Sequence, residues 1–326
     1  MQYGSRVVLA ELSSGFLIVA SVLLGLLFGS FLNVVIYRLP REQSVAFPPS
    51  TCPACGARIR PYDNIPVLSW LALRGKARCC KASISVRYPV VEALGGLMGG
   101  AVMRWLVLTL PPDTPWYVAG LTFACYLALS LGLLALLFID LEHMLLPDPL
   151  TLGGAALGLV SVPLRPLGFV EALVGGIGGF LFVYLLFIQG YKMLRGRPGM
   201  GLGDAKLLLL AGCWFGWPGA LFALVAGALQ GTLVAIAVFV AQGKIDEPEA
   251  VKQEREQWKR ELEQMSDEER QQAEQEMQDD ILAEEPDSSL AGARLPFGPF
   301  LVLSLLEFLF FSEWIEQWVV ETMFVV

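Results

Sequence analysis

Apolar runs near twenty residues alternate with short polar connections along most of this 326-residue chain. They fall near Phe16–Tyr37, Pro89–Leu110, Tyr117–Ile139, Leu150–Pro163, Val170–Gln189, Ala205–Trp217, Gly219–Ala241 and Phe297–Phe311. A membrane-spanning helix needs about 20 apolar residues. The pattern therefore predicts an α-helical polytopic membrane protein with about eight transmembrane helices. The fourth and sixth runs are short for a full span, which suits tilted or re-entrant helices. Gly95-Gly96-Leu-Met-Gly99-Gly100 and Gly175-Gly176-Ile-Gly178-Gly179 predict seams of close helix packing. The first run reads as a retained span. Its flank sets Arg6 against Glu11, the run is too long for a signal peptide, and no small-x-small cleavage site follows.

Two polar blocks interrupt the pattern and divide the chain. Residues 1–39 form the first span, 40–88 a Cys-containing block and 89–241 a core of spans. Residues 242–294 form an acidic insert, and 295–326 the last span and tail. Hydrophobic residues make up 55% of the sequence and the mean hydropathy is +0.58, which excludes the soluble class. The net charge of −8 is local: residues 242–294 hold 17 acidic and 7 basic residues, so the remainder carries +2. In the insert, Pro248 suits a helix start and Ser266-Asp-Glu-Glu269 reads as a capping box. Val251, Trp258, Leu262 and Met265 make one apolar stripe, and Met277, Ile281 and Leu282 another. Pro286–Ala293 reads as a flexible return to the membrane. A solvated helical insertion is the plain reading, and a docking surface for a cytoplasmic partner the alternative.

Nine Lys and Arg between Arg38 and Arg87 mark the first block as cytoplasmic, as do Lys192, Arg195 and Arg197 for the connection after the fifth span. The opposite loops carry little beyond Arg165. With eight alternating spans, both ends that carry an aspartate, Asp140 and Asp204, then lie on the cytoplasmic side. Carboxylates at membrane depth are expensive and point to function. Two of them suggest a dyad sharing a proton, the device by which aspartic proteases activate water. Asp204 also fits a plain helix start in Gly201-Leu202-Gly203-Asp204-Ala205-Lys206. Glycine at 201 and 203 lets the backbone bend and an extended peptide approach closely. Asp148, after Pro147, is expected to cap the next helix. His143 has no exposed Ser motif with which to form a hydrolase triad.

Cys52-Pro-Ala-Cys55-Gly56 followed by Cys79-Cys80 suggests a small zinc-ribbon-like domain after the first helix. Adjacent Cys79 and Cys80 lack the usual two-residue spacer. A four-Cys zinc site, a three-ligand or labile site, and reduced structural thiols all stay open.

Together these phrases resemble the type IV prepilin peptidases, bifunctional leader peptidases and N-methyltransferases. The resemblance runs through Gly29-Ser30-Phe31-Leu32-Asn33, Cys52–Gly56, Asn64–Trp70, Ile84–Glu92, Asp140…Leu146-Pro147-Asp148, Gly201–Lys206 and Pro296–Phe300. It implies that Asp140 and Asp204 are the catalytic pair of a GxGD-type aspartic protease, supported by Gly201, Gly203, Lys206, Pro147 and Asp148. The implied substrates are prepilins or pseudopilins, cut at the cytoplasmic face of the bacterial inner membrane. Methylation of the new N-terminus from S-adenosylmethionine is implied too, with Arg87, Tyr88 and Glu92 as contributing residues. The resemblance also implies zinc at the cysteines, yet Ala77 stands where the family's third cysteine is expected. The partners expected are these substrates and the lipid bilayer, with no nucleic acid. The competing classes are a proton-coupled transporter using the aspartates as a relay, and a non-enzymatic secretion scaffold.

Overall fold

The structure is a computed structural model describing residues 9–52, 54–196, 198–243, 248–262, 265 and 295–324. Among them there is no β-strand, only two isolated bridges. Six helical segments are long and apolar enough to cross a membrane: Ser14–Arg41, Arg87–Val107, Trp116–His143, Phe169–Arg195, Leu202–Gln242 and Gly298–Ile315. The chain divides into two compact units, Met1–Ala135 and Leu136–Val326.

In the first unit α1 (Ser14–Arg38) and α3 (Arg87–Ala101) pack antiparallel, with a five-residue α2 (Leu68–Ala72) in the polar block between them. Glycines form the contact, as their spacing predicts. A Cβ on Gly29 would lie 3.0 Å from Glu92 Cα, and one on Gly95 would lie 2.8 Å from Gly29 Cα. Apolar burial gives little drive to associate in lipid, so backbone-to-backbone approach supplies the contact. α3 runs on through a π-helical turn, Val102–Val107. α4 (Trp116–His143) begins in this unit and ends in the next.

The second unit holds α5 (Asp148–Val160), α6 (Phe169–Val183), α7 (Tyr191–Arg195), α8 (Leu202–Gln242), α9 (Glu249–Leu262) and α10 (Gly298–Phe324). α8 has 41 residues but breaks at Gly216, whose φ of 66° and ψ of −168° are non-helical, two residues before Pro218. The break reverses the chain. A Cβ on Gly179 of α6 would lie 2.9 Å from the Leu208 carbonyl and 3.3 Å from Ala220 Cβ. On a straight helix those two residues would stand about 18 Å apart. The predicted seam at Gly175–Gly179 is thus the wall against which both legs of α8 pack, with Gly175 facing Gly216.

α5 and the first leg of α8 have 13 and 14 residues, about 20 Å each, short of a ~30 Å bilayer core. Their C-terminal carbonyls need donors that lipid cannot supply. Arg165 provides them. Its guanidinium donates to the carbonyls of Gly158, Trp214 and Cys213, and stacks 4.6 Å from the Trp214 ring. The Trp214 indole in turn donates to the Gly154 carbonyl at 2.8 Å.

α10 packs on α8, with Phe308 against Phe215 at the end of its first leg and Phe222 of its second, and a Gln230–Glu307 hydrogen bond of 2.8 Å. Of the insert, α9 matches the helix expected after Pro248, and Val251 and Leu262 of its apolar stripe are buried. The capping box at Ser266, the second stripe and the return at Pro286–Ala293 lie outside the described residues.

Candidate active site and metal centre

Asp140 sits in the last turn of α4 and is only 5% exposed. The helix stops just beyond it because Met144 turns left-handed (φ 51°), and its N–H closes on the Asp140 carbonyl at 2.9 Å. Pro147 then sets the chain for α5. Asp204 is the third residue of α8 and partly buried, and its Oδ2 accepts the Gly201 N–H at 3.2 Å. It therefore does serve the start of its own helix, as the third-residue partner of a capping box on Gly201, and the neighbouring Gly203 packs against Leu146.

Two residues that the sequence reading did not single out complete the arrangement. Leu146, buried, separates the starts of two helices: a Cβ on Gly203 would lie 3.0 Å from Leu146 Cβ, and one on Gly298 would lie 3.2 Å from Leu146 Cδ2. The same atom on Gly298 would stand 2.5 Å from Asp140 Oδ2. The starts of α8 and α10 thus meet at Leu146, six residues after Asp140, and the start of α10 also lies against the buried Asp140 carboxylate. The sequence signal was the glycine in Pro296-Phe297-Gly298-Pro299.

Asp148 does not act as the expected cap. Pro147 holds the cap position, with no side-chain capping bond, and Asp148 is the first residue of α5. Its carboxylate instead accepts from Lys206 Nζ at 2.5 Å, joining the first turns of α5 and α8. The ammonium from the other motif outcompetes the local N–H groups, since a charged partner makes the stronger bond.

Arg87, Tyr88 and Glu92 lie in the first unit, on the opening turns of α3. Arg87 stacks 5.3 Å from the Tyr88 ring, and the buried Glu92 accepts the Val67 N–H at 2.7 Å.

The cysteine block contains two knuckles built alike. In the first, Thr51 bridges Arg58, the Cys52 N–H donates to Ala57, Gly56 donates back to Cys52, and Ile59 donates to Ser50. Adding 25 to each number gives the second: Lys76 bridges Ser83, Ala77 donates to Ala82, Lys81 donates to Ala77, and Ile84 donates to Gly75. Gly56 (φ 70°) and Lys81 (φ 60°) make the matching left-handed turn. Ala77 therefore occupies the counterpart of Cys52, Cys80 that of Cys55, and Cys79 that of Ala54.

Even so, the four Sγ atoms of Cys52, Cys55, Cys79 and Cys80 lie within 4.8 Å of one another. Cys55–Cys79, Cys52–Cys80 and Cys79–Cys80 are 3.4, 3.7 and 3.9 Å apart. A tetrahedron with ~2.3 Å Zn–S bonds has edges of about 3.8 Å. The thiols fit a four-coordinate zinc. The N–H groups of Ala54 and Cys55 pull the Cys52 thiol down to about 7, whereas its hydrogen bond with Cys55 pushes Cys79 up to about 12.

Two family models match this sequence. Residues 23–106 match the bacterial peptidase A24 N-terminal domain, and residues 127–236 the type IV leader peptidase family. A prepilin leader peptidase/N-methyltransferase of Myxococcus xanthus is 35% identical over 316 residues, 90% of each chain. Proteins of the same name from Stutzerimonas stutzeri and Pseudomonas aeruginosa are 39% and 36% identical. Each covers 67% of this chain, and 81% and 80% of their own lengths respectively. No solved structure matches.

Proposed function

The chain belongs to the type IV leader peptidase family, and on that premise we propose that it cleaves the leader from prepilins or pseudopilins and methylates the new N-terminus. The observation that carries the peptidase reading is the meeting at Leu146 of the motif after Asp140, the start of α8 that bears Asp204, and the start of α10. One carboxylate, ionised, takes a proton from water as the water oxygen attacks the scissile carbonyl. The other, protonated, hydrogen-bonds the carbonyl oxygen and then passes its proton to the leaving amine. Gly203 and Gly298 leave room for Leu146 and for the Asp140 carboxylate at the starts of α8 and α10. The Asp148–Lys206 pair holds the first turns of α5 and α8 together. The transporter and scaffold readings are not favoured by the relatives.

The six long segments become eight when α8 is counted as two legs and α5 is added. That count, with the Arg-rich loops inside, supports a reading with both aspartates at the cytoplasmic face of a multi-pass inner-membrane protein. S-adenosylmethionine, when bound, supplies the methyl group. The fit of Cys52, Cys55, Cys79 and Cys80 supports a structural zinc that staples a block too small to build a core of its own. For the acidic insert the solvated reading is retained.

The test is mass spectrometry of a co-expressed prepilin's N-terminus beside Asp140→Asn and Asp204→Asn variants. A trimmed, methylated product from the unaltered chain, with trimming lost in both variants, is expected. Trimming by either variant at the unaltered rate would sink the dyad.

A further inference from the structure

One polar cluster in the first unit is used by neither the aspartates nor the thiols. Asn33, near the end of α1, is 3% exposed. Its Nδ2 donates to the Tyr88 carbonyl at 3.1 Å, which fixes the orientation of the amide and leaves Oδ1 without a partner. The position follows from the glycine seam. Gly29 lies against Glu92, and Asn33 stands one turn further along the same face of α1. Glu92, on the same face of α3 as Tyr88, is itself only 9% exposed.

The Glu92 carboxylate holds a strained residue. Val67, whose N–H it accepts, has φ 61° and ψ −49°, a region that β-branched side chains avoid. Backbone strain persists only where surrounding contacts enforce it, and it clusters at working sites. Here α2 is pinned at its other side by the Trp70 indole, which donates to the Ile84 carbonyl at 3.1 Å. Asn33 and Glu92, both buried, thus stand one turn apart along the α1–α3 seam, tied to the Tyr88 carbonyl and the Val67 N–H respectively, where the two helices meet the cysteine block. A buried acceptor with no donor calls for a ligand that brings an N–H or O–H.

We propose that this junction binds the free α-amine of the cleaved chain, with Asn33 Oδ1 accepting one of its N–H groups. The proposal rests on the methyl-transfer reading above and deepens it. A carboxamide oxygen holds an N–H without taking the proton, so the nitrogen lone pair stays free and is aimed away from Asn33. That lone pair attacks the methyl carbon of a sulfonium donor. The carbon–sulfur bond breaks with its electrons on sulfur, leaving a neutral thioether. The methylated ammonium then releases one proton to solvent. The negative charge of Glu92, one helical turn from Tyr88, offsets the positive charge that develops on nitrogen. Asn33 is an amine-binding residue, and Glu92 a positioning residue acting through Val67 and through its charge.

The experiment uses the full chain in nanodiscs with two substrates: an intact prepilin, and a pre-cleaved peptide with a free N-terminus as methyl acceptor. Asn33→Ala should raise KM for the peptide at least tenfold and leave KM for S-adenosylmethionine unchanged. Prepilin cleavage should stay within twofold, which also shows that the variant folds. Glu92→Gln, which keeps an acceptor for the Val67 N–H, should lower kcat for methylation and leave cleavage intact. Unchanged peptide KM in Asn33→Ala would overturn the proposal, as would parallel loss of cleavage and methylation. An unaltered chain that cleaves but methylates no amine would instead defeat the methyl-transfer reading on which the proposal rests.

Discussion

A side chain of any size on Gly298 would collide with Asp140, because its Cβ would stand 2.5 Å from Oδ2 of that carboxylate. Gly298→Ala should therefore lower cleavage by about 10²–10⁴, the range for losing a general acid or base. Leu146→Ala in the same chain relieves only the second contact and should not restore activity. Rates measured on detergent-solubilised variants check this, and rescue by Leu146→Ala would shift the blame from the carboxylate to packing.

The pairing of Asp148 with Lys206 links two motifs that lie 58 residues apart. Asp148→Asn and Lys206→Met should each lower kcat roughly tenfold, about 1.4 kcal/mol, by loosening α5 from α8. The double variant should cost little more than either single one, since both remove the same bond. Full additivity in a double-mutant cycle would mean that the two residues act separately.

Zinc content tests the shifted register of the second knuckle. Cys79→Ser should lose most of its metal, while Ala77→Cys with Cys79→Ser should regain it, because residue 77 holds the backbone position equivalent to Cys52. Metal analysis of the purified protein reads both.

Binding should also follow pH in a stated direction. Zinc takes thiolates, so affinity rises with pH. Above about 7 Cys52 is already ionised and only the other thiols have protons to lose; below about 7 the Cys52 proton must leave as well. The dependence of log affinity on pH should steepen by about one proton as pH falls through 7. A competition titration with a chromogenic chelator measures the slope, and one that does not change there counts against Cys52 as a ligand.

Arg165→Met removes the donor from the carbonyls of Gly158, Cys213 and Trp214. At about 1–3 kcal/mol per buried group left unsatisfied, the second unit should lose at least about 2 kcal/mol. Arg165→Lys should recover only part, because an ammonium lacks the planar fork. Thermal unfolding in detergent, with unfolding followed by Trp fluorescence, would show the order arginine, lysine, methionine.

Much of this was legible because lipid imposes simple rules. Run length gave the helices, glycine spacing gave the two seams, and buried charge singled out Asp140 and Asp204. What stayed hidden depends on contacts between distant segments. The Pro296–Phe300 phrase marked the segment, but only the fold shows that the missing side chain of Gly298 makes room for Asp140. Asp148 looked like a cap because caps are local, whereas its partner Lys206 lies on another helix. The cysteines were hard for a related reason. Spacing alone made adjacent Cys79 and Cys80 an awkward ligand pair, while the fold repeats one knuckle 25 residues on and turns both thiols to the same point.

The reversal at Gly216 leaves the leg that carries Asp204 some ~10 Å shorter than the hydrocarbon it stands in. A bilayer of ordinary thickness around that leg and α5 would have to thin, its acyl chains tilting or splaying, to match the two short helices whose first turns carry Asp204 and Asp148. A substrate helix drifting in the membrane plane would find its own hydrophobic length mismatched there. Its polar junction would be drawn inward and the end of the helix encouraged to unwind, before any protein group touches the bond to be cut.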